Sequence, residues 1–557
     1  MLALSTLALL CSAVWAKEMA VNELKAAELY DSGIVHEELM ARKMNHWAAE
    51  AEAGLMESVQ YPELGYTKCI NGIAEAIPGD AKNTFRCNNV VHADLQSTGR
   101  GSSSWGWTSD DGREFIAMGQ EDGAAFVEIK GGKMVYLGRL PQYSVPSIWR
   151  EIRSYKHYMV IGSEAVGHGV QFFDMRKVGV LTHLLTLDPA SPKTFDGKLD
   201  LAGHFNELPV GRTHNVVINE DLGYVVAVGA QPRNSTCKAG LIFIDVSDIS
   251  NPTTPGCSDL DGYVHDAQCL VYKGPDKKYQ GRDICYGYNE DTLTIYDVTN
   301  QLATSIISRT SYEGAAYTHQ GWVLDKNNQE YLLLDDELDE ENAVGPGADG
   351  FPVTFIWDIR SLEKPKQTGF YKSSTKAIDH NQYIIDGLSY QSQYGAGLRI
   401  LDVSSIPRNP TGADVCEVGF FDIFPEDDTA PGGGLVHFVG TWSSYAYFKS
   451  GYIFINTIER GAFLVKMTSL ECPTKPVCHA DNCLRAFRAS SVTGRLTESQ
   501  KFCGEIKKKP VSEVSEVPAF APGACTGDTV ARVSSASAPL AGSTWLGNSL
   551  NTQGRAG

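Results

Sequence analysis

Four histidines recur at matching points of an internal repeat. They are His214 in Thr213-His-Asn215, His265 in Val264-His-Asp-Ala-Gln268, His319 in Thr318-His-Gln-Gly-Trp322 and His380 in Asp379-His-Asn-Gln382. By their distance before the next repeat strand, Arg150 and Trp442 hold the same place in two further units. Acids follow an apolar run in several units: Glu164, Glu290, Asp335, Asp336, Glu337 and Glu459. Imidazoles gathered with carboxylates can bind a metal, hold a polar ligand or exchange protons. The candidate ligand-binding set is Arg150, Glu164, His214, His265, Glu290, His319 and His380. The candidate metal set is His214, His265, His319 and His380 with Asp336, a mixture that suits Zn, Mn or Fe. The pattern requires no cofactor; a divalent metal is the one it would admit. Each histidine is followed by Asn, Asp or Gln, and such pairs also serve only to satisfy backbone groups. No residue is assigned a catalytic role.

Other strings carry weaker chemistry. Asp335 to Glu340 is acidic enough for calcium but lacks the glycine and spacing of an EF-hand loop, so an exposed acidic turn is the simpler expectation. His36-Glu-Glu-Leu-Met40 has Met40 where a zinc-binding helix needs its second histidine. There is no G-x-S-x-G elbow, no H-E-x-x-H and no G-x-x-x-x-G-K-[ST]. Trp105, Trp107, Trp149, Trp322 and Trp442 could stack sugars, although blade core is the commoner use of such residues.

The elements that must position these residues repeat. A short strand with an acid near its end occurs at Gly123-Ala-Ala-Phe-Val-Glu-Ile129, Gly169-Val-Gln-Phe-Phe-Asp-Met175 and Gly240-Leu-Ile-Phe-Ile-Asp-Val246. It returns at Thr292 to Val298, Val353 to Ile359 and Gly397 to Val403, and a last copy at Gly461 to Met467 has Lys466 in place of the acid. Further β-like runs such as Tyr158-Met-Val-Ile161 and Tyr224-Val-Val-Ala-Val228 precede these strands. Three or four short strands per unit, seven times over, predict a seven-bladed β-propeller, mainly β in class. The repeated acid, often followed by Val-Ser or Val-Thr, is expected to close a turn rather than to react. The innermost strand of a blade lines the central channel, so the histidines should form a partial ring at one mouth, with the acids beside them.

These units resemble the LVIVD-repeat propellers of the choice-of-anchor B family. The residues that carry the resemblance include Trp105-Gly-Trp107, Trp149-Arg-Glu-Ile152, Gly167-His-Gly169, the four histidine motifs and Leu334-Asp-Asp-Glu-Leu-Asp-Glu340. It covers roughly residues 85 to 468. It implies a secreted or surface-attached propeller with no established activity, so no catalytic residue is carried over. Cys478-His-Ala-Asp-Asn-Cys-Leu-Arg-Ala486, Phe502-Cys503 and Cys525 resemble a small Cys-rich C-terminal module of fungal secreted proteins, although Ser534-Ser-Ala-Ser537 lacks the further cysteine expected near it.

The rest of the chain sets the context. Residues 1–16 read as a signal peptide, with an apolar run from Leu2 to Leu10 and small residues before Ala16. Residues 17–84 read as a helical N-terminal segment, 85–470 as the propeller, 471–507 as the Cys-rich module and 508–557 as a disordered tail. Of 13 cysteines, twelve lie beyond Cys11. Their separations suggest disulfides Cys69 with Cys87, Cys237 with Cys257 and Cys269 with Cys285; free or zinc-bound thiols are the alternative. Asn234-Ser-Thr236 is a glycosylation sequon. A net charge of −19 repels phosphate backbones and anionic lipids, which argues against nucleic acid. No stretch predicts a membrane span, and the polar C-terminus offers no GPI signal. The sequence therefore favours a secreted, extracellular or wall-associated protein that binds a polar ligand, glycan or protein partner at the channel mouth without turnover. A metal-dependent hydrolase or lyase, and a purely structural wall or matrix protein, are the alternatives.

Overall fold

A computed structural model describes residues 17–56, 58–96, 100–179 and 192–472. The expected signal peptide, most of the Cys-rich module and the tail lie outside them.

The described residues form seven sheets, the blades of a β-propeller, antiparallel except where Lys193–Thr194 runs parallel to Lys133–Pro141. The innermost strands are Gly101–Thr108, Arg150–Tyr155, Asn215–Asn219, Asp266–Val271, Thr318–Val323, Gln382–Ile385 and Thr441–Tyr445. The repeat strands form the third strand of each blade, as in Leu241–Asp245 and Leu398–Asp402. These strands are apolar on both faces because each sheet is sandwiched between two others. Seven buried clusters mark the successive blade interfaces. Val160 and Phe172 of the second blade, for example, pack on Val216 and Val225 of the third, and Phe454 and Leu464 of the seventh pack on Ile116 and Val127 of the first.

In the second to sixth blades the repeated acid sits at the end of its strand and holds the following turn, whereas Glu128 of the first lies within its strand and pairs with Arg113. Asp245 accepts the Ser247 amide at 2.8 Å, and Asp402 accepts the Ser404 amide at 2.9 Å. Gly397, which opens one repeat strand, has φ +78°, and a Cβ there would run into the Phe421 carbonyl.

The N-terminal segment does more than form helix. Its helix Ile34–Glu52 is followed by Ile73–Glu75 and Thr84–Asn88, which extend the sixth blade. Val90–Gln96 then supplies the outer strand of the seventh blade, with Leu95 opposite Phe463 and Asp94 opposite Leu464. The ring is thus closed where Val90–Gln96 pairs with Ala462–Met467. All three expected disulfides form, and Cys416 pairs with Cys472 as a fourth. No helix among the described residues is long and apolar enough to cross a membrane.

Candidate functional site

The innermost strands run in one sense, so the residues at their starts share one mouth of the channel. His214 and His265 directly precede their strands, His319 is the second residue of its own, and His380 stands two before Gln382. Neighbouring imidazole centroids lie 4.2 Å apart for His214 and His265, 4.3 Å for His265 and His319, and 4.4 Å for His319 and His380. Trp442 continues the arc 5.4 Å from His380. Arg150 lines the same cavity, its Nε donating to the Gln120 carbonyl at 3.0 Å and Nη1 lying 2.8 Å from His168 Nε2.

The ring is stitched from blade to blade. His265 Nδ1 is 2.8 Å from the carbonyl of His319, and His380 Nδ1 is 2.6 Å from that of Trp442. A carbonyl only accepts, so Nδ1 of each carries the proton. Burial pushes the pKa of His265 and His319 far down and that of His380 to about 4, so these rings are neutral at pH 7.

The acids divide by environment. Glu164 meets His214 Nδ1 at 2.5 Å and Arg212 at 2.9 Å. Burial raises its pKa, but the His214 hydrogen bond and the nearby positive groups outweigh that and hold it near 2. Glu290 is not in the ring: Arg233 clamps both its oxygens, at 2.9 and 2.6 Å. Asp336 belongs to no histidine either. Tyr312 and the amides of Ala316, Tyr317 and Leu338 occupy its oxygens. Asp335 lies 3.2 Å from His319 Nδ1. Glu459 accepts the Gly440 amide at 2.8 Å.

Asp335 to Glu340 is not an exposed turn. Asp335, Asp336, Glu337, Asp339 and Glu340 are all buried. The helix Ile34–Glu52 covers Glu337 and Leu338 of this run. Its His36, Leu39, Lys43 and Trp47 form one stripe at helical spacing, and all four are buried. Leu39 and Trp47 pack on Tyr317, Leu338, Tyr394, Phe438 and Trp442. His36 Nδ1 lies 2.7 Å from the Tyr317 hydroxyl, and Lys43 Nζ sits 2.5 Å from Glu337 Oε1. Trp47 donates to the Phe438 carbonyl at 2.8 Å. The helix therefore crosses the histidine mouth and plugs it.

This plug limits what the ring can hold. The cavity inside the ring is about 10 Å³, room for one water or a bare ion. A sugar or peptide does not fit at the mouth where the sequence placed it. For a metal at the ring, the donor atoms of His319, Glu337 and His380 lie within 4.8 Å of one another. Lys43 already supplies the positive charge on Glu337, so a divalent ion there would sit against an ammonium. His214 and His265 stand outside that trio. With the helix in place, the donor set does not fit a resident transition metal.

The opposite mouth is open. Where the innermost strands end, a cavity of about 830 Å³ is lined by Trp105, Arg153, Trp322, Tyr445, Tyr447 and the turns that follow the strands. The Arg153 guanidinium stands 4.4 Å from the Trp105 ring and 5.1 Å from that of Tyr383, and pairs with Glu151 at 2.7 Å. Burial raises the carboxyl of Glu151 to about 7 and that of Asp266 to about 6. Trp149 and Trp442 pack against Trp47, and Trp107 against Phe115. Of the five tryptophans singled out by sequence, Trp105 and Trp322 are the two at this mouth. The sequon residue Asn234 is exposed and lines a cleft of about 780 Å³ beside the start of the long helix.

No protein-family model matches the chain, and no curated protein matches it by sequence. Among solved structures it is similar to Kuenenia stuttgartiensis hydrazine synthase, at TM-score 0.43 and 11% identity over 67% of this chain and 96% of that one. It is similar to the β-propeller domain of Myceliophteria thermophila Cps50 (Swd1), at TM-score 0.37 and 10% identity over 68% and 99%. The computationally designed Ika8 protein matches at TM-score 0.38 and 9% identity over 73% and 96%. At these values the likenesses carry no argument about the site.

Proposed function

We propose that this chain is an exported propeller that binds a glycan or protein partner, without turnover, in the aromatic cavity at the open mouth of its channel. One observation carries the reading. The 830 Å³ cavity combines the tryptophans Trp105 and Trp322 with the tyrosines Tyr445 and Tyr447 around the guanidinium of Arg153, and Lys273, Lys326, Asp221 and Asp325 also line it. Concave sites with aromatic walls and polar groups set among them are the usual form of a ligand site. Indole and phenol faces offer flat apolar area to a sugar or to an aromatic side chain at little entropic cost. The four disulfides support export, because such bonds persist in oxidising compartments.

The hydrolase or lyase alternative draws on the channel histidines, which the helix covers, and Lys43 pairs with the nearby Glu337 carboxylate. An oligosaccharide array and a crosslinking pull-down with the full chain test the proposal. It expects capture of an oligosaccharide or a protein that fails with Trp322→Ala while the fold persists. Capture that is unchanged in Trp322→Ala overturns the placement, and no capture by either method overturns the binding reading.

A further inference from the structure

A second group of buried charges lies between the fifth and sixth blades. Asp339 and Glu340 stand in the loop after strand Tyr331–Asp336, and Asp379 arrives from the segment that leads into Gln382–Ile385. One oxygen of each comes within 4.8 Å of the others. All three residues are almost wholly inaccessible, at 0%, 3% and 3% exposure.

Their oxygens are short of donors. Glu340 Oε1 accepts the Val353 amide at 3.2 Å, whereas Glu340 Oε2 meets no donor. Beside Asp339 lie the Glu340 amide and carboxyl, with Asp336 and the ammonium of Lys372 as further charged neighbours. Asp379 is the independent observation. It comes from a different blade, is buried, points into the pair, and neither of its oxygens has a partner. The nearby ammonium, Lys372, is taken by Asp349 at 3.0 and 2.9 Å. Three carboxylates this close cannot all be ionised in a water-excluded site unless a cation joins them. Gly347 packs so tightly on Asp339 that any Cβ would strike its carboxylate, so the loop holds that group in place.

We propose that Asp339, Glu340 and Asp379 bind one calcium ion that staples the fifth blade to the sixth. Hard carboxylate oxygens with no nitrogen or sulfur among them are the donors calcium prefers. Joining segments of two blades, the ion stabilises the propeller and takes no part in ligand capture, so the proposal is independent of the open mouth.

The test uses the purified full-length chain. Metal analysis after dialysis and thermal unfolding in EGTA, calcium chloride or magnesium chloride are the readouts. The expected result is one calcium per chain, a Tm that falls in EGTA and recovers with calcium, and a much smaller response to magnesium. Asp379→Asn should lose the calcium-dependent shift and lower Tm. Without a cation the same substitution would relieve repulsion and leave Tm unchanged or higher. Either that outcome, a wild-type Tm identical in EGTA and calcium, or an equal response to magnesium overturns the assignment. If Asp379→Asn does not fold, the wild-type metal content and EGTA response still decide.

Discussion

Lys43 and Glu337 show how much one pair can decide. Both are buried, and Tyr394 donates a second hydrogen bond to the same oxygen, Glu337 Oε1, at 2.5 Å. Burial raises the Glu337 carboxyl, but Lys43 and His380 draw it back to about 2. Lys43→Met leaves that carboxylate buried without its counter-ion, which should cost about 3–5 kcal/mol. Adding Glu337→Gln should restore much of it, as urea unfolding of the two variants will show. His168 gives a prediction in pH. Its Nε2 faces Arg150 and its Nδ1 the Gly169 carbonyl, and burial together with Arg150 lowers it to about 3. The unfolded chain, titrating near the ordinary 6.5, takes up the proton first as pH falls. Stability from the neutral ring is therefore full above pH 6.5 and drains away below it, by about 1.4 kcal/mol per pH unit until pH nears 3. The stability advantage of wild type over His168→Gln should shrink at that rate between pH 6.5 and 4.5; an advantage constant with pH refutes it.

At the scale of elements, closure of the ring rests on Val90–Gln96. Leu95 is buried against the sixth and seventh blades with Phe463 and Phe421. Leu95→Ala should cost about 2–5 kcal/mol, and limited proteolysis should then cut first in the seventh blade. The exposed Leu302 should tolerate the same change. Nothing local in residues 90–96 announces this partnership, because the strand it joins lies at Ala462–Met467, at the far end of the ring. The blades themselves were legible, since their glycine, apolar run and acid recur in phase, and that phase also placed the four imidazoles on one axis. The plug was not. Its buried stripe includes the polar side chains His36 and Lys43, whose partners Tyr317 and Glu337 lie far away in sequence. Asp335 to Glu340 misled for a related reason. Acids are rarely buried, and only the contacts that cover them reveal the exception.

Across the whole molecule the two mouths of the channel differ in kind. One is closed by a helix over a ring of four imidazoles with room for a single water. The other opens on tryptophan, tyrosine and a buried guanidinium. The central claim is that recognition occurs at the second. The most direct measurement is an equilibrium titration of the strongest oligosaccharide or protein from the capture experiments against wild type, Trp322→Ala and the double variant His265→Ala/His319→Ala. The account predicts at least tenfold weaker binding for Trp322→Ala, or about 1.4 kcal/mol, with affinity unchanged in the histidine variant. Loss of binding in the histidine variant, with Trp322→Ala still binding as wild type does, would contradict it.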